Sequence, residues 1–103
     1  MIYKRPQEIT QYDMDFSNIA NSADASLDQN QSKVTAFDTL DVEQTKQIIQ
    51  KVTYSGFVQT AIIQGGLDGE DYLLYFDGVG NVSGLIANRT LEVRVRRKLS
   101  GAL

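Results

Sequence analysis

Asp13 and Asp15 come closest in this chain to a catalytic carboxylate pair, because residues i and i+2 of a strand share one face about 7 Å apart. Glycoside hydrolysis uses two carboxyl groups at comparable separations, one of them kept protonated by a pocket that raises its pKa. An exposed strand face supplies no such pocket, so the pair reads as solvated surface. Asp68, Glu70 and Asp71 are three closely spaced acids. A calcium loop of the EF-hand type draws ligands from a longer, differently spaced run. The Asp68-Gly69 dipeptide is instead a tight-turn signal. Gly65-Gly66-Leu67-Asp68-Gly69 superficially resembles a phosphate-binding loop. It lacks the closing Lys-Ser/Thr, and no helical pattern follows it. The chain contains no histidine and no cysteine. Ser-His-Asp and Cys-His catalysis and thiolate zinc sites are therefore excluded. The expectation is a protein with no catalytic residues, no metal and no cofactor.

What remains is a chain built to fold and to touch other molecules. Its 103 residues suit one domain. With 42% apolar residues and nine aromatics there is material for one core. The opening Met-Ile-Tyr-Lys-Arg-Pro is not followed by the apolar run of a signal peptide. No segment is apolar over the length of a membrane helix. The expectation is a soluble protein made in a cytosol. The net charge of −3 hides an asymmetry: Arg89–Lys98 carries five basic residues and one acid, against twelve acids and five bases elsewhere. Two accounts of the basic segment are open, ion pairing within the domain and docking to an acidic partner. An acidic body argues against nucleic acid.

The elements that position these charges are strands. Leu91-Glu92-Val93-Arg94-Val95-Arg96 alternates strictly, which turns Leu91, Val93 and Val95 to a core and Glu92, Arg94 and Arg96 outward. Glu8–Phe16 alternates as well, with Tyr12, Met14 and Phe16 on one face. Phe57–Ile63 reads as a buried strand. Asp71–Asp77 reads as another, apolar on both faces. Lys33–Phe37 is a short strand, and a weak edge strand is expected within Ala25–Asp28. Asp41–Val52 supports either a helix capped by Asp41 or a turn and a strand over Gln47–Tyr54. The second pairs with Phe57–Ile63 through Ser55-Gly56 and is favoured. Gly78, Gly80, Asn81 and Gly84 mark a loop before a last strand starting near Arg89 or Thr90.

Short strands with frequent turns predict an all-β protein, an immunoglobulin-like β-sandwich of about seven strands, in one domain over residues 1–103. Leu67-Asp68-Gly69-Glu70-Asp71-Tyr72 sharpens this. An Asp-Gly turn followed by a tyrosine is the pattern of a tyrosine corner, in which the Tyr72 hydroxyl bonds back to the turn. Leu74 then takes the place of the buried cysteine of an antibody domain. Gly65, Gly66, Asp68, Gly69, Tyr72 and Leu74 are the expected structural residues. In such a sandwich the first and last strands are neighbours, so Asp13 and Asp15 are expected opposite Arg94 and Arg96.

The layout resembles the fiber–tail adaptor proteins of tailed bacteriophages. The resemblance lies in a Lys-Arg-Pro lead, the Tyr12–Ser17 strand, Ile62–Tyr72 with its Gly-Gly, Gly and Tyr, and the alternating Leu91–Arg96. It covers Lys4–Ser17 and Ile62–Arg97. The first strand ends Asp-Phe-Ser where that family often has Asp-Trp-Ser, and Asp41–Val52 has no counterpart there. The resemblance implies a non-enzymatic virion component, made in the host cytoplasm and present in several copies at neck or tail. Its partners would be other virion proteins, with homo-oligomers, and no nucleic acid or membrane. Lys4, Arg5, Arg94, Arg96, Arg97 and Lys98 are the candidate interface. Two alternatives stand beside it: a capsid decoration protein, and a ligand- or carbohydrate-binding module using the Gly78–Asn88 loop and exposed tyrosines.

Overall fold

A computed structural model describes residues 1–19 and 24–97 of the chain. The described residues form two sheets. One has four strands in the order β1 (Ile2–Lys4), β7 (Ile86–Val95), β6 (Asp71–Val79), β3 (Lys33–Asp38). The other has three, in the order β2 (Thr10–Asp15), β5 (Val58–Ile63), β4 (Ile49–Ser55). The β1–β7 pair is parallel and every other pair is antiparallel. The protein is all-β in two layers.

Alternation supplies the reason. In β6, Tyr72, Leu74 and Phe76 are buried while Asp71, Leu73 and Tyr75 on the other face are only partly covered. In β7, Leu91, Val93 and Val95 are buried in the same way. These side chains meet Ala61 and Ile63 of β5 in one core. The Tyr12 ring of β2 reaches across to Phe76 at 5.9 Å. Gln59 of β5 is fully buried and donates to the carbonyls of Lys33 and Asp77, 3.2 and 3.3 Å away in the opposite sheet. Those two acceptors fix which way its amide points. The Tyr54 hydroxyl donates to the Ser32 carbonyl, and the Ser32 hydroxyl accepts from Val79 N–H. A polar strut thus joins the layers at one end of the core.

Several elements differ from expectation. Ala25–Asp28 makes no strand; Leu27 is tied by a single bridge to Gly80 and buries its side chain. Asp41–Val52 divides between both readings: one helical turn, α1 (Thr45–Ile48), leads directly into β4. Asp41 is not its cap. Gln44 holds that place, and Asp41 sits at φ +63° in the preceding turn. The Asp38 carboxylate fastens that turn by accepting from Leu40 and Val42 N–H. The β4–β5 hairpin turns on Gly56-Phe57 with Gly56 at φ +59°. A glycine at the first turn position matches a type II′ hairpin.

Gly78 belongs to β6 and not to a loop, and β7 begins at Ile86, ahead of Arg89. The reason is long-range. A Cβ at Gly78 would lie 2.9 Å from the Phe16 ring, so the strand there needs a residue without a side chain. Asp13 and Asp15 do not face Arg94 and Arg96, because β2 and β7 lie in different sheets. The strands beside β7 are β1 and β6, and the arginines find their acids on β6 and on β7 itself.

Candidate docking surfaces

The Gly65–Tyr72 crossover carries the chain from one sheet to the other. Leu67–Glu70 closes a turn in which the Leu67 carbonyl accepts from Glu70 N–H, with Gly69 at φ +89°. That is the type II geometry that favours glycine at its third position. The Tyr72 hydroxyl accepts from Leu67 N–H at 3.0 Å. Asp68 accepts from the backbone N–H of Arg97, and Leu74 is fully buried. Asp68 and Asp71 are each spent on the chain's own groups, and among the described residues no three potential ligands converge on a metal position. Tyr72→Phe should lower stability by about 1–2 kcal/mol, read as a drop in the urea midpoint at constant slope. A variant melting with the parent would remove the hydroxyl from the account.

Both carboxylates of the pair are engaged within the chain. Asp13 accepts from the Thr60 hydroxyl and the Gln11 amide. The backbone N–H of Ser17, and then its hydroxyl, hold Asp15 below the usual carboxylate range. A general acid requires the opposite shift.

The basic residues separate into three kinds. Lys4 is 1% exposed, so it is not available to a partner. Its ammonium donates to the Gly65 and Arg5 carbonyls at 2.5 and 2.7 Å and ties β1 to the crossover. Burial lowers its pKa below the ordinary value of 10.5, against a smaller upward pull from Glu8. The folded chain therefore loses this proton first on raising the pH. Below 10.5 and above the folded value the unfolded state binds more protons, so stability rises with pH there. Lys4→Met should flatten that rise in the urea midpoint; an unchanged profile would contradict it.

Arg94, on the outer side of β7, and Arg96, just past its end, are partly covered. Arg96 pairs with Asp71 at 2.9 Å, and Arg94 pairs with Glu92 at 3.1 Å and reaches Asp71 at 4.0 Å. Tyr3 first, then Glu92, raise the basicity of Arg94 further. Ion pairs this open to solvent add little to stability, so their main effect is to set the direction of the guanidinium groups. Arg5 and Arg97 are exposed. Lys98 lies outside the described residues.

Three residues that the charge pattern does not single out complete this face. Phe37 pairs directly with Leu73, and Thr35 with Tyr75. The Phe37 and Tyr75 rings meet edge to face at 5.6 Å. All three apolar side chains point away from the core. Glu92, Thr90 and Arg94 lie across from Leu73, Tyr75 and Asp71 on β7. The outer face of the four-stranded sheet is therefore an apolar row bordered by ion-paired arginines. The signal in the sequence is β6 itself, which keeps apolar residues on both faces.

The loop and tyrosines of a sugar platform are not brought together. Tyr72 is buried, Tyr12 and Tyr54 pack against the core, Tyr75 packs edge to face on Phe37, and Tyr3 is 47% exposed beside β7 near its C-terminal end. The described residues include no helix long and apolar enough to cross a membrane. No protein-family model matches the chain, and neither does any curated protein or solved structure.

Proposed function

We propose that this chain is an immunoglobulin-like sandwich that works without catalysis as a structural adaptor in a tailed-phage particle, coupling fibers or other tail and neck proteins. The observation that carries the reading is the outer face of the four-stranded sheet. Phe37, Leu73 and Tyr75 form its apolar centre, and Arg94, Arg96, Glu92 and Asp71 form a polar border of both signs. A protein interface has that arrangement, a desolvated centre within a charged rim. The pairing order supports the fold part of the proposal. A first strand parallel to the last, with β6 beside it and β2, β5 and β4 opposite, suits the sandwich class. The likeness of Lys4–Ser17 and Ile62–Arg97 to phage adaptors supports the rest.

Immunogold labelling of purified particles tests it. Label at neck or tail is the expected result. Label over the shell would replace the adaptor with a decoration protein, and unlabelled particles would overturn the reading.

A further inference from the structure

An open groove of about 750 Å³ lies between the β3–α1 and β5–β6 loops. Ile48 and Tyr72, both buried, form its floor. Leu40 and Leu67 form its walls and are 82% and 70% exposed. A single exposed leucine is ordinary, but two bordering one concavity are informative. The charge of the groove has one sign. Asp38 and Glu70 line it, and none of the described residues lining it is basic. The Asp38 carboxylate is bonded to its own turn. The Glu70 carboxylate has no hydrogen-bond or ion-pair partner among the described residues.

The chain itself leaves the described structure at the edge of this groove. The end of β7 is bonded to the Leu67–Glu70 turn: the Glu70 carbonyl accepts from Val95 N–H, and the Val95 carbonyl accepts from Gly69 N–H. Two residues on, Arg97 N–H donates to the Asp68 carboxylate at 2.7 Å. Arg97, the last described residue, is thus pinned to the turn whose Leu67 and Glu70 line the groove. The chain continues Lys98-Leu99-Ser100-Gly101-Ala102-Leu103. That segment carries one base, no acid and two leucines. Its charge is opposite to that of the groove, and its apolar residues match the walls. Six residues extend to roughly 20 Å, while Leu67 is the neighbour of Asp68, about 3.8 Å away at Cα.

We propose that Lys98–Leu103 of the same chain lies in this groove, with Leu99 against Leu40 and Leu67 and the Lys98 ammonium beside Glu70. The segment covers both exposed leucines and supplies the cation that Glu70 lacks. Attachment at Arg97 makes the contact intramolecular. A short tether holds the segment at an effective concentration on the order of millimolar, so a modest fit suffices to fill the groove within one molecule. The inference does not depend on the phage assignment.

Fluorescence of the purified chain tests it separately from any particle experiment. The sequence has no tryptophan, so Leu99→Trp introduces a single reporter. In the folded protein its emission should be blue-shifted from that of the urea-unfolded chain, and acrylamide should quench it severalfold less. Both readings should be independent of protein concentration. Adding Leu40→Glu should return them to the unfolded values while circular dichroism keeps its β signal. Should Leu40→Glu fail to fold, Leu67→Glu disables the same groove. Adding Glu70→Lys should weaken the protection, and adding Lys98→Glu to that variant should restore it. A reporter exposed in the folded Leu99→Trp protein would overturn the inference. Protection that survives both groove variants would overturn it too, because the segment would lie elsewhere. Protection that grows with concentration would overturn it equally, since the occupant would be a second copy. A charge exchange that restores nothing would overturn the pairing of Lys98 with Glu70.

Discussion

Phe16→Ala should destabilise the domain by about 3–5 kcal/mol, the range for removing a fully buried aromatic ring. Phe16 is 0% exposed and follows β2, where its backbone N–H donates to the Phe57 carbonyl. The ring lies under Gly78, and the Arg89 guanidinium sits 5.6 Å from its centre. Gly78→Ala alone should cost about 1–3 kcal/mol by forcing that ring to move. The two costs should not add. Once the ring is gone, the new methyl enters space it vacated, so the double variant should be more stable than the sum of the single losses predicts. Urea unfolding of the parent and the three variants closes the cycle. Additive losses would mean that Gly78 is needed for some reason other than Phe16. A small domain has only about 5–15 kcal/mol to lose, so Phe16→Ala should also lower the soluble yield.

Gly66→Ala has the second large effect expected, about 2–4 kcal/mol. Gly66 lies at φ +93°, and a Cβ there would stand 2.6 Å from Val95 Cγ2 and 3.3 Å from the Tyr72 ring. The substitution therefore combines a backbone conformation that side chains disfavour with a collision at the end of β7. Gly69 separates the two causes. Its φ is +89°, but nothing lies within 4 Å of its Cβ position. Gly69→Ala should cost only the backbone term, about 1–2 kcal/mol. Equal losses at both positions would show that the Val95 contact relaxes without cost. Gly65 belongs to the same device, because its Cβ would fall 2.8 Å from the Gln47 carbonyl oxygen.

Alternation made β7 and β2 legible, since period-two patterns need no partner to be recognised. The residues Leu91, Val93 and Val95 turn inward as their spacing requires. The Asp68-Gly69 turn and the placing of Tyr72 were equally local. What the sequence hid depends on distant contacts. Gly78 looks like a loop glycine until Phe16 is seen against it, and the two are far apart in the chain. Lys4 reads as a surface charge because its acceptor, the Gly65 carbonyl, is 61 residues away. α1 is four residues long, too short for a 3.6-residue period to register. Arg94 and Arg96 were legible as outward-facing residues, but their counter-ions were not. Asp71 joins them only through the β6–β7 register, which pairs Asp71 with Arg94. The apolar row of Phe37, Leu73 and Tyr75 likewise exists only once β3 is laid beside β6.

The adaptor proposed above would act through copy number, since each molecule offers a modest face and a particle would supply many. The most direct measurement is the stoichiometry of the chain in gradient-purified particles, by quantitative mass spectrometry against a tail protein of fixed copy number. The account predicts that the chain co-purifies in a fixed ratio of several copies per particle and withstands washing at high salt. Its absence, or a trace amount that varies between preparations, would contradict the structural role.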